Sequence, residues 1–501
     1  MVFDRNNRYK EEGAMKIRKV NYQEQATPAL SFISQDQLYE IHMATLEVLE
    51  RVGVQVDEDE ARKMLREAGA YVKDKIVKIP AHLVEEALRT APPRVVLANR
   101  EGERALFLEK NQTYYGLGSD LPYTIDLETG QRRRSVKQDV INAAKILDYL
   151  PNYDFMMSFA IATNVSNQLS YLHQFEAMVT NTKKPIVFTA RDQIDFLQIV
   201  EIAAAVTGGY DQLREKPFLA CYHEPICPMT HTRDGVQKLF ACADYGIPAV
   251  YTPGMGAGGN SPCTMAGLLT QANVELLSGL VIHQLRKKGA PFIYGGCPSI
   301  MDMATTIFPY GCPEWHMNSV VLSQMARFYE LPIFSTGGCS DAMIFDQQAG
   351  MEIGFSLLMA ELSGANLIHD VGYLESGLTG SLESMVACNE VIGLVRRISR
   401  GYTINKDTLA VEVMERVGPG GSYFGDAHTF KHYKNEFWMP ELLNRKRYQE
   451  WMEGGALTLG DKVKNKAQYI LKNYQSEKLP ENVLEQIKGI MNKAEQEIKN
   501  L

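Results

Sequence analysis

Eight short apolar segments recur about every 30 to 45 positions between Thr113 and Tyr373, and a helix-length segment follows nearly every one. They are TYYGLGS (113–119), FMMSFA (155–160), IVFTA (186–190), FLACYHE (218–224), AVYTPG (249–254), FIYGGC (292–297), IFSTGG (333–338) and LIHDVGY (367–373). Strands that alternate with helices predict a parallel sheet, and eight such units predict an α/β fold of the (β/α)8 TIM-barrel type. Because the carboxyl ends of barrel strands share one mouth, the residues there are expected to form one site.

A barrel needs roughly 250 residues, so a chain of 501 residues has room for two long extensions. A helix is expected after Ser34, because Ser34 and Gln37 form a capping-box pattern, and it should end at Gly53. A hairpin is expected over 124–135. The predicted division is an N-terminal helical and small-β extension (1–110), a catalytic barrel (111–402) and a C-terminal helical segment packed on the barrel (403–501).

Composition excludes several classes of partner. The formal charge is −8 with both signs interspersed, which argues against nucleic-acid binding, since that function needs a basic face. The amino end lacks the pattern of a signal peptide, and no run approaches 18 uncharged apolar residues, so no membrane span is expected. The eight cysteines form no CxxC pair and suit a reducing compartment, so we expect a cytoplasmic protein.

The segment from Tyr294 to Glu375 is the richest in candidate site residues. Its aromatic residues are Phe308, Tyr310, Trp315, Phe345 and Tyr373, and its ionisable residues at strand ends are Asp302, Asp341, His369 and Asp370. Such a mouth suits a small, weakly polar or cationic organic substrate, because aromatic faces attract an ammonium group. The alternative is that these aromatic residues only cover the end of the barrel.

His369 lies within the eighth predicted strand, and Asp370 and Tyr373 follow it closely. A polar residue at the carboxyl end of a barrel strand is where barrel chemistry usually occurs. The alternative is a core histidine that donates to a neighbouring carbonyl. In the first strand, Tyr114 and Tyr115 point to opposite faces, so one of them is a candidate for an aromatic cage.

No metal or cofactor site on this chain is predicted. His223, Glu224 and Cys227, with Cys297 or Cys339, could bind zinc in principle, but their spacing matches no known ligand set. The glycine-rich segment GMGAGG (254–259) follows a strand, yet it lacks the phosphate-binding fingerprint. The site is therefore expected to bind substrate without a cofactor of its own.

Several long segments make the chain resemble the trimethylamine methyltransferase (MttB) superfamily, from about Leu38 to Leu459. They are EPICPMTH (224–231), AGLLTQANVELLSGL (266–280), SIMDMATTIFPYGCPEW (299–315), GGCSDAMIFDQQAG (337–350), GANLIHDVGYLESGLTGSLE (364–383) and GPGGSYFGDAHTFKHYKNEFWMP (418–440). The resemblance implies a cytoplasmic barrel that moves a methyl group from a methylamine to the cobalt of a separate corrinoid protein.

One departure from the family pattern bears on the substrate. The trimethylamine enzymes that name the family carry pyrrolysine near the GGCSDA strand end, where this chain has only standard residues and Cys339 is the nearest equivalent. Members without pyrrolysine include demethylases of quaternary amines. A quaternary nitrogen leaves as a neutral amine after methyl displacement, so the protein must mainly orient and desolvate the cation.

The resemblance to the glycine betaine members implies that Tyr115 and His369 contact the substrate, and these two are the predicted catalytic residues. Further substrate contacts are predicted from position and are Phe345, Tyr373, Trp315, Cys339 and Asp341. The expected reaction is transfer of a methyl group from a quaternary amine, with glycine betaine favoured, to the Co(I) of a cognate corrinoid protein that carries the cobalamin. The alternatives are proline betaine, carnitine or γ-butyrobetaine as donor, or a barrel that binds a betaine without turnover. A homo-oligomer is also expected.

Overall fold

The computed structural model describes residues 29–499. The amino-terminal part combines helices with two small sheets. Its elements are α1 (Gln35–Arg51), β1 (Val54–Val56), α2 (Asp59–Glu67), β2 (Tyr71–Lys73), β3 (Ile76–Lys78), α3 (Ala81–Thr90), β4 (Val95–Ala98) and β5 (Arg104–Leu108). The predicted capping box of α1 is confirmed, because the Ser34 hydroxyl accepts from the Gln37 amide and the Gln37 side chain accepts from the Ser34 amide.

The middle of the chain alternates strands and helices. Its strands are β6 (Tyr114–Tyr115), β7 (Tyr123–Ile125), β8 (Arg132–Arg134), β9 (Ile186–Thr189), β10 (Leu219–His223), β11 (Thr230–His231), β12 (Ala249–Tyr251), β13 (Gly254–Ala257), β14 (Phe292–Gly295), β15 (Cys297–Ile300), β16 (Ile333–Thr336), β17 (Leu367–His369), β18 (Tyr373–Leu374) and β19 (Thr379–Gly380). Its helices are α4 (Lys137–Tyr149), α5 (Ser170–Asn181), α6 (Gln193–Thr207), α7 (Tyr210–Glu215), α8 (Arg233–Tyr245), α9 (Met265–Arg286), α10 (Pro313–Phe328), α11 (Gln347–Ser363) and α12 (Leu382–Ser399). The predicted hairpin is confirmed, since β7 and β8 pair antiparallel.

Seven of these strands form one sheet in the order β6-β17-β16-β14-β12-β10-β9. Every pair in it is parallel, so all seven carboxyl ends lie on the same side. Helices cover the sheet, which explains why its strands are apolar on both faces instead of alternating with polar residues. Each strand falls within one of the predicted apolar segments.

The second predicted strand, over 155–160, differs from the prediction because it forms only isolated bridges. Phe155 bridges to Gly116 and Met156 bridges to Ile186, both in parallel orientation. Gly116 directly follows the end strand β6, and Ile186 begins the end strand β9. Phe155 and Met156 therefore contact both ends of the sheet. The chain then turns, because Phe159 takes a φ of 63°, outside the extended region that a strand requires.

Helix α9, with 22 residues, is a long apolar helix at the centre of the fold. It alone in 29–499 is long and apolar enough to cross a bilayer, and 78% of its apolar window is buried inside the fold. Burial on nearly all sides is the pattern of a central core helix. The predicted cytoplasmic location stays a prediction.

The carboxyl-terminal part is helical. Its helices are α13 (Lys406–Leu409), α14 (Val411–Val417), α15 (Ala427–Glu436), α16 (Tyr448–Glu453), α17 (Leu459–Asn473) and α18 (Glu481–Lys499). Helix α17 packs against α12 and α4, and α18 packs against α6. The predicted domain boundaries stay a prediction.

Candidate active site

Rings from distant strands meet on one face of the large sheet. The Tyr222 ring of β10 lies 6.0 Å from the His369 ring of β17, and both rings contact Phe334 of β16, at 5.5 Å and 4.2 Å between centroids. Since β10 and β17 are separated by three strands in the sheet order, this contact identifies the concave inner face. Strand alternation then assigns the neighbouring residues of each strand to the outer face, under the helices.

His369 is buried and neutral on this inner face. Its Nδ1 donates to the Ser335 carbonyl at 2.8 Å, which leaves the lone pair of Nε2 facing Asp370 Oδ2 at 3.2 Å. Burial lowers the pKa of His369 to about 4. Burial also raises the pKa of Asp370 well above its usual range, and the charge of Glu224 raises it further. The pair is therefore held as an uncharged imidazole beside a carboxyl group that resists ionisation.

A close approach of the backbone fixes the position of Asp370. A Cβ atom at Gly118 would stand 2.1 Å from Asp370 Oδ1 and 2.3 Å from the Tyr373 hydroxyl oxygen. Asp370 itself takes a φ of 66°, in the left-handed region that non-glycine residues seldom adopt. The Tyr373 hydroxyl donates to the Ser119 carbonyl at 2.7 Å. The loop after β6 and the end of β17 thus hold each other in one arrangement.

Two further carboxyl groups belong to this region, because the charge of Glu224 raises the pKa of Asp370 and the charge of Asp120 raises the pKa of Glu224 and of Tyr373. Glu224 directly follows β10, keeps solvent-accessible surface and accepts a hydrogen bond from Tyr222, and desolvation by the surrounding protein raises its pKa. Burial raises the pKa of Asp120 to about 6, and its Oδ1 is buried without a hydrogen-bond partner. Within residues 29–499, Asp120, Glu224 and Asp370 form no salt bridge with a lysine or arginine. We call these three residues the inner carboxyl group.

Three aromatic rings pack together beside the inner carboxyl group. The Trp315 ring lies 4.2 Å from Tyr310 and 5.4 Å from Phe308, between centroids. Burial raises the pKa of Tyr310, and Asp370 is the charge that raises it most, which places the cluster close to that carboxyl. The indole nitrogen of Trp315 is buried and donates to nothing in the described residues. Aromatic faces beside carboxyl groups without basic partners form an environment that attracts an organic cation.

Comparison with known proteins decides the family. The family model described as trimethylamine methyltransferase (MTTB) matches residues 3–499. This chain belongs to the trimethylamine methyltransferase (MttB) family. The trimethylamine methyltransferase MttB of Desulfitobacterium hafniense is 33% identical over 472 residues, which cover 93% of this chain and 95% of that protein. A glycine betaine methyltransferase of Desulfitobacterium hafniense is 30% identical over 452 residues, which cover 90% and 94%.

A more distant likeness is the monomethylamine methyltransferase of Methanosarcina barkeri, a solved structure with 10% identity and a TM-score of 0.46 over 92% of each chain. The predicted family and the predicted enzyme class, a methyltransferase, are both confirmed by the relatives at 30% identity and above.

In this MttB-family chain, the structure brings only some of the predicted site residues together. His369, Tyr373 and Trp315 lie at or beside the inner carboxyl group, as described above. Cys339 is fully buried, and burial raises the pKa of its thiol, which the charges of Asp370 and Asp341 raise further. The thiol is therefore protonated and is not activated as a nucleophile.

Two predicted substrate contacts have structural partners instead. Asp341 accepts hydrogen bonds from the Tyr310 and Gly311 amides at 2.7 Å and 2.8 Å and from the Ser376 hydroxyl at 2.8 Å. Its carboxylate therefore ties together the loops that carry the aromatic cluster. Phe345 is half-buried and packs against the hydrophobic core just before α11.

Tyr115 is not part of this group. Its hydroxyl donates to Glu361 Oε2 of α11 at 2.5 Å, and the Arg396 guanidinium of α12 lies 5.1 Å from its ring centroid. Both partners belong to the helical layer, so the ring lies on the outer face of β6. Tyr114, its neighbour, accepts from the Phe107 amide and donates to Gln112, both on the segment that precedes β6.

Asp120 and Tyr222 are not among the site residues predicted from the sequence, and Glu224 is predicted there only as a possible zinc ligand. Side chains two residues apart in a strand share one face, so Tyr222 lies on the same face as Ala220. It also lies just before the mouth, so strand alternation could have identified it. Asp120 carries no comparable signal, since it lies five residues beyond β6. Its position depends on how the loop folds back over the sheet.

Proposed function

We propose that this chain transfers a methyl group from a cationic N-methylated amine to the Co(I) centre of a separate corrinoid protein. The observation that carries the proposal is the inner carboxyl group beside an aromatic cluster: Asp370 is buried, and none of the three acids forms a salt bridge with a lysine or arginine within residues 29–499. We also propose that segment 155–160 completes an eight-stranded barrel, since Phe155 and Met156 bridge to both ends of the sheet. The inner carboxyl group would then lie at the closed mouth of that barrel.

The corrinoid supplies the nucleophile that accepts the methyl group, and it is expected to arrive on its own protein. The residues of this chain bind and orient the donor. Carboxyl groups stabilise the positive nitrogen, the rings of Tyr310, Trp315 and Phe308 desolvate it, and both effects hold one N–CH3 bond in a fixed direction. Because the amine leaves without a charge, the step needs no general acid, which agrees with a neutral His369 whose Nδ1 proton is held by a backbone carbonyl.

The inner carboxyl group also bears on the choice of donor. A donor that carries its own carboxylate, such as glycine betaine, brings a negative charge towards three acids, and like charges disfavour this arrangement. The unpartnered Trp315 N–H is a group that such a carboxylate could accept from. Glycine betaine therefore remains a candidate, and donors that lack a carboxylate are the second candidate that this observation favours.

A donor panel with the reduced cognate corrinoid protein tests both points, followed by the absorbance change of cobalt on methylation. The panel comprises trimethylamine, tetramethylammonium, choline, glycine betaine, proline betaine, carnitine and γ-butyrobetaine. Turnover with any cationic donor supports methyl transfer. Binding of a donor without cobalt methylation would establish the non-catalytic alternative.

Asp370→Asn and the exposed substitution Asp211→Asn form a matched pair for the same assay. The first removes a carboxyl from the inner carboxyl group, and the second removes one from the surface helix α7. Loss of activity in Asp370→Asn alone supports the proposed site. Equal activity in both variants would show that methyl transfer occurs elsewhere.

A further inference from the structure

The outer face of β10 carries a second group of side chains with coordinating atoms. Cys221 and His223 alternate with the inward-facing Tyr222 and so point under helix α8, where Cys242 faces them. The two thiol sulfurs and a ring nitrogen of His223 all lie within 4.8 Å of one another. Cys221 and Cys242 are fully buried, and His223 is 3% exposed.

His223 lacks the hydrogen bonds that a buried histidine normally makes. Neither of its ring nitrogens has a partner of acceptable length and angle, although the Cys221 carbonyl lies near the ring. His231, which is buried close by, bonds through both nitrogens, to Tyr251 and Ser278 at 2.7 Å each. A buried polar nitrogen without a partner costs about 1–3 kcal/mol, so His223 is placed as if a ligand were to satisfy it.

The spacing of the three residues fits a soft metal ion. Two donors that each lie about 2.3 Å from a shared ion are about 3.8 to 4.0 Å apart, so the observed separations need only small side-chain rotations. Burial lowers the pKa of His223, which keeps the imidazole in the neutral form that binds metals. Burial raises the pKa of Cys242, whereas the charge of Lys238 lowers it.

We propose that Cys221, His223 and Cys242 bind one soft d10 cation, Zn²⁺ or Cu⁺, between β10 and α8. Two thiolates and an imidazole are donors that such ions prefer. On binding, each thiol releases its proton and no electron is transferred. The ion would fix the outer side of β10, whose inner side carries Tyr222 and which Glu224 directly follows. It would therefore stabilise one wall of the candidate active site.

This site differs from the zinc hypothesis of the sequence analysis, which combined His223 with Glu224 and Cys227. In the structure the Cys227 thiol donates to Glu275 at 2.9 Å instead. A second possible cluster, Asp407, His428 and His432, lies at the surface. Lys431 already pairs with its carboxylate at 2.6 Å, so this cluster serves here as a control for adventitious surface binding.

The test uses the full chain, expressed in separate media supplied with Zn²⁺ or Cu⁺, because an ion must enter the buried site as the chain folds. Each protein is dialysed against a chelator, and its metal is measured by elemental analysis and native mass spectrometry. Wild type and the surface variant His428→Ala should each retain about one equivalent of the preferred ion. Cys242→Ser should lose at least about a hundredfold in affinity, while the exposed-cysteine variant Cys263→Ser should match wild type.

A further measurement needs no variant. Co²⁺ supplied during expression should give thiolate-to-cobalt charge-transfer bands in wild-type protein, so a variant that fails to fold leaves the proposal testable. Three results would each overturn the proposal. The first is wild type without metal in every medium, and the second is a disulfide between Cys221 and Cys242 in the intact protein. The third is metal that is retained by Cys242→Ser but lost in His428→Ala.

Discussion

The acidic side chains on the two faces of the large sheet differ in their partners. On the outer face, the Arg396 guanidinium pairs with Asp154, whose carboxylate also accepts the Tyr115 amide at 2.9 Å, and Glu361 accepts the Tyr115 hydroxyl. On the inner face, the neutral His369 lies beside Asp370, and neither Asp370 nor Glu224 nor Asp120 forms a salt bridge with a lysine or arginine within residues 29–499. The outer acid Asp154 has an arginine partner, and the inner acids have none.

This difference distinguishes acids that stabilise the fold from acids that can bind a ligand. A buried carboxylate with an arginine partner stabilises only the fold in which both side chains are in contact. Removing one partner strongly lowers the free energy of unfolding. A buried carboxyl without a basic partner is destabilising in the free protein, and a cationic ligand can remove that penalty by supplying the missing charge. The predictions below test this contrast between the two faces.

The largest effect is expected from Arg396→Met on the outer face. The side chains of Arg396 and Asp154 are 16% and 11% exposed, so the change leaves a buried carboxylate uncompensated and should lower the free energy of unfolding by about 4 kcal/mol. Denaturant unfolding measures it, and kcat/KM of the folded fraction should not change. Arg416→Met, at the more exposed pair with Asp426, is the control and should cost far less, because solvent screens an exposed ion pair. Similar losses in both variants would contradict the contrast.

On the inner face, Asp370→Asn should have the reverse profile. Asparagine keeps the shape and a donor towards His369 Nε2 but cannot ionise, so kcat/KM should fall about a hundredfold, or about 2.7 kcal/mol. The free energy of unfolding should stay the same or rise, because an acid without a basic partner is removed. A variant that loses stability and keeps its activity would place Asp370 with the structural acids.

The same residue predicts a pH dependence of cation binding. Burial raises the pKa of Asp370, so in the free protein it keeps its proton to a higher pH than an ordinary aspartate does, and a cation bound beside it favours the ionised form. Binding therefore releases a proton, and affinity for tetramethylammonium should rise with pH up to the pKa of Asp370, by at most about tenfold per pH unit. Calorimetry in two buffers with different ionisation enthalpies measures the proton released. Asp370→Asn should abolish this release.

Asp120→Asn should stabilise the protein at neutral pH. The pKa of Asp120 is about 6 in the folded protein and about 3.9 in the unfolded chain. The folded state therefore holds the proton longer, and stability is lost as pH rises from about 4 to about 6. Asparagine avoids that loss, so above pH 6 the free energy of unfolding should increase by about 3 kcal/mol. Equal stability of the variant and wild type at both ends of this range would show that Asp120 is solvated.

The strand–helix rhythm of the sequence predicted the parallel sheet, because apolar strands buried on both faces leave a local pattern. It also drew attention to His369, which ends β17, and to Tyr373, which begins β18, and their contact with substrate stays a prediction. It did not predict on which face Tyr115 lies, since β6 has only two residues and strand alternation alone cannot choose between the faces. The partners that decide it, Glu361 and Arg396, are more than two hundred residues away in the chain. Asp120 was missed for a similar reason, because a loop sets its position.

Tyr115→Phe gives the smallest effect and the most direct comparison between sequence and structure. The sequence predicted Tyr115 as a catalytic contact, whereas the structure assigns its hydroxyl to Glu361. Loss of that hydrogen bond to a buried carboxylate should lower the free energy of unfolding by about 1.5 kcal/mol, partly offset because the Ser399 hydroxyl still donates to Glu361. The KM for the preferred donor and kcat should both match wild type, because the ring lies on the face away from the inner carboxyl group. A tenfold fall in kcat/KM with unchanged stability would return Tyr115 to the active site, and the assignment of faces at β6 would then be wrong.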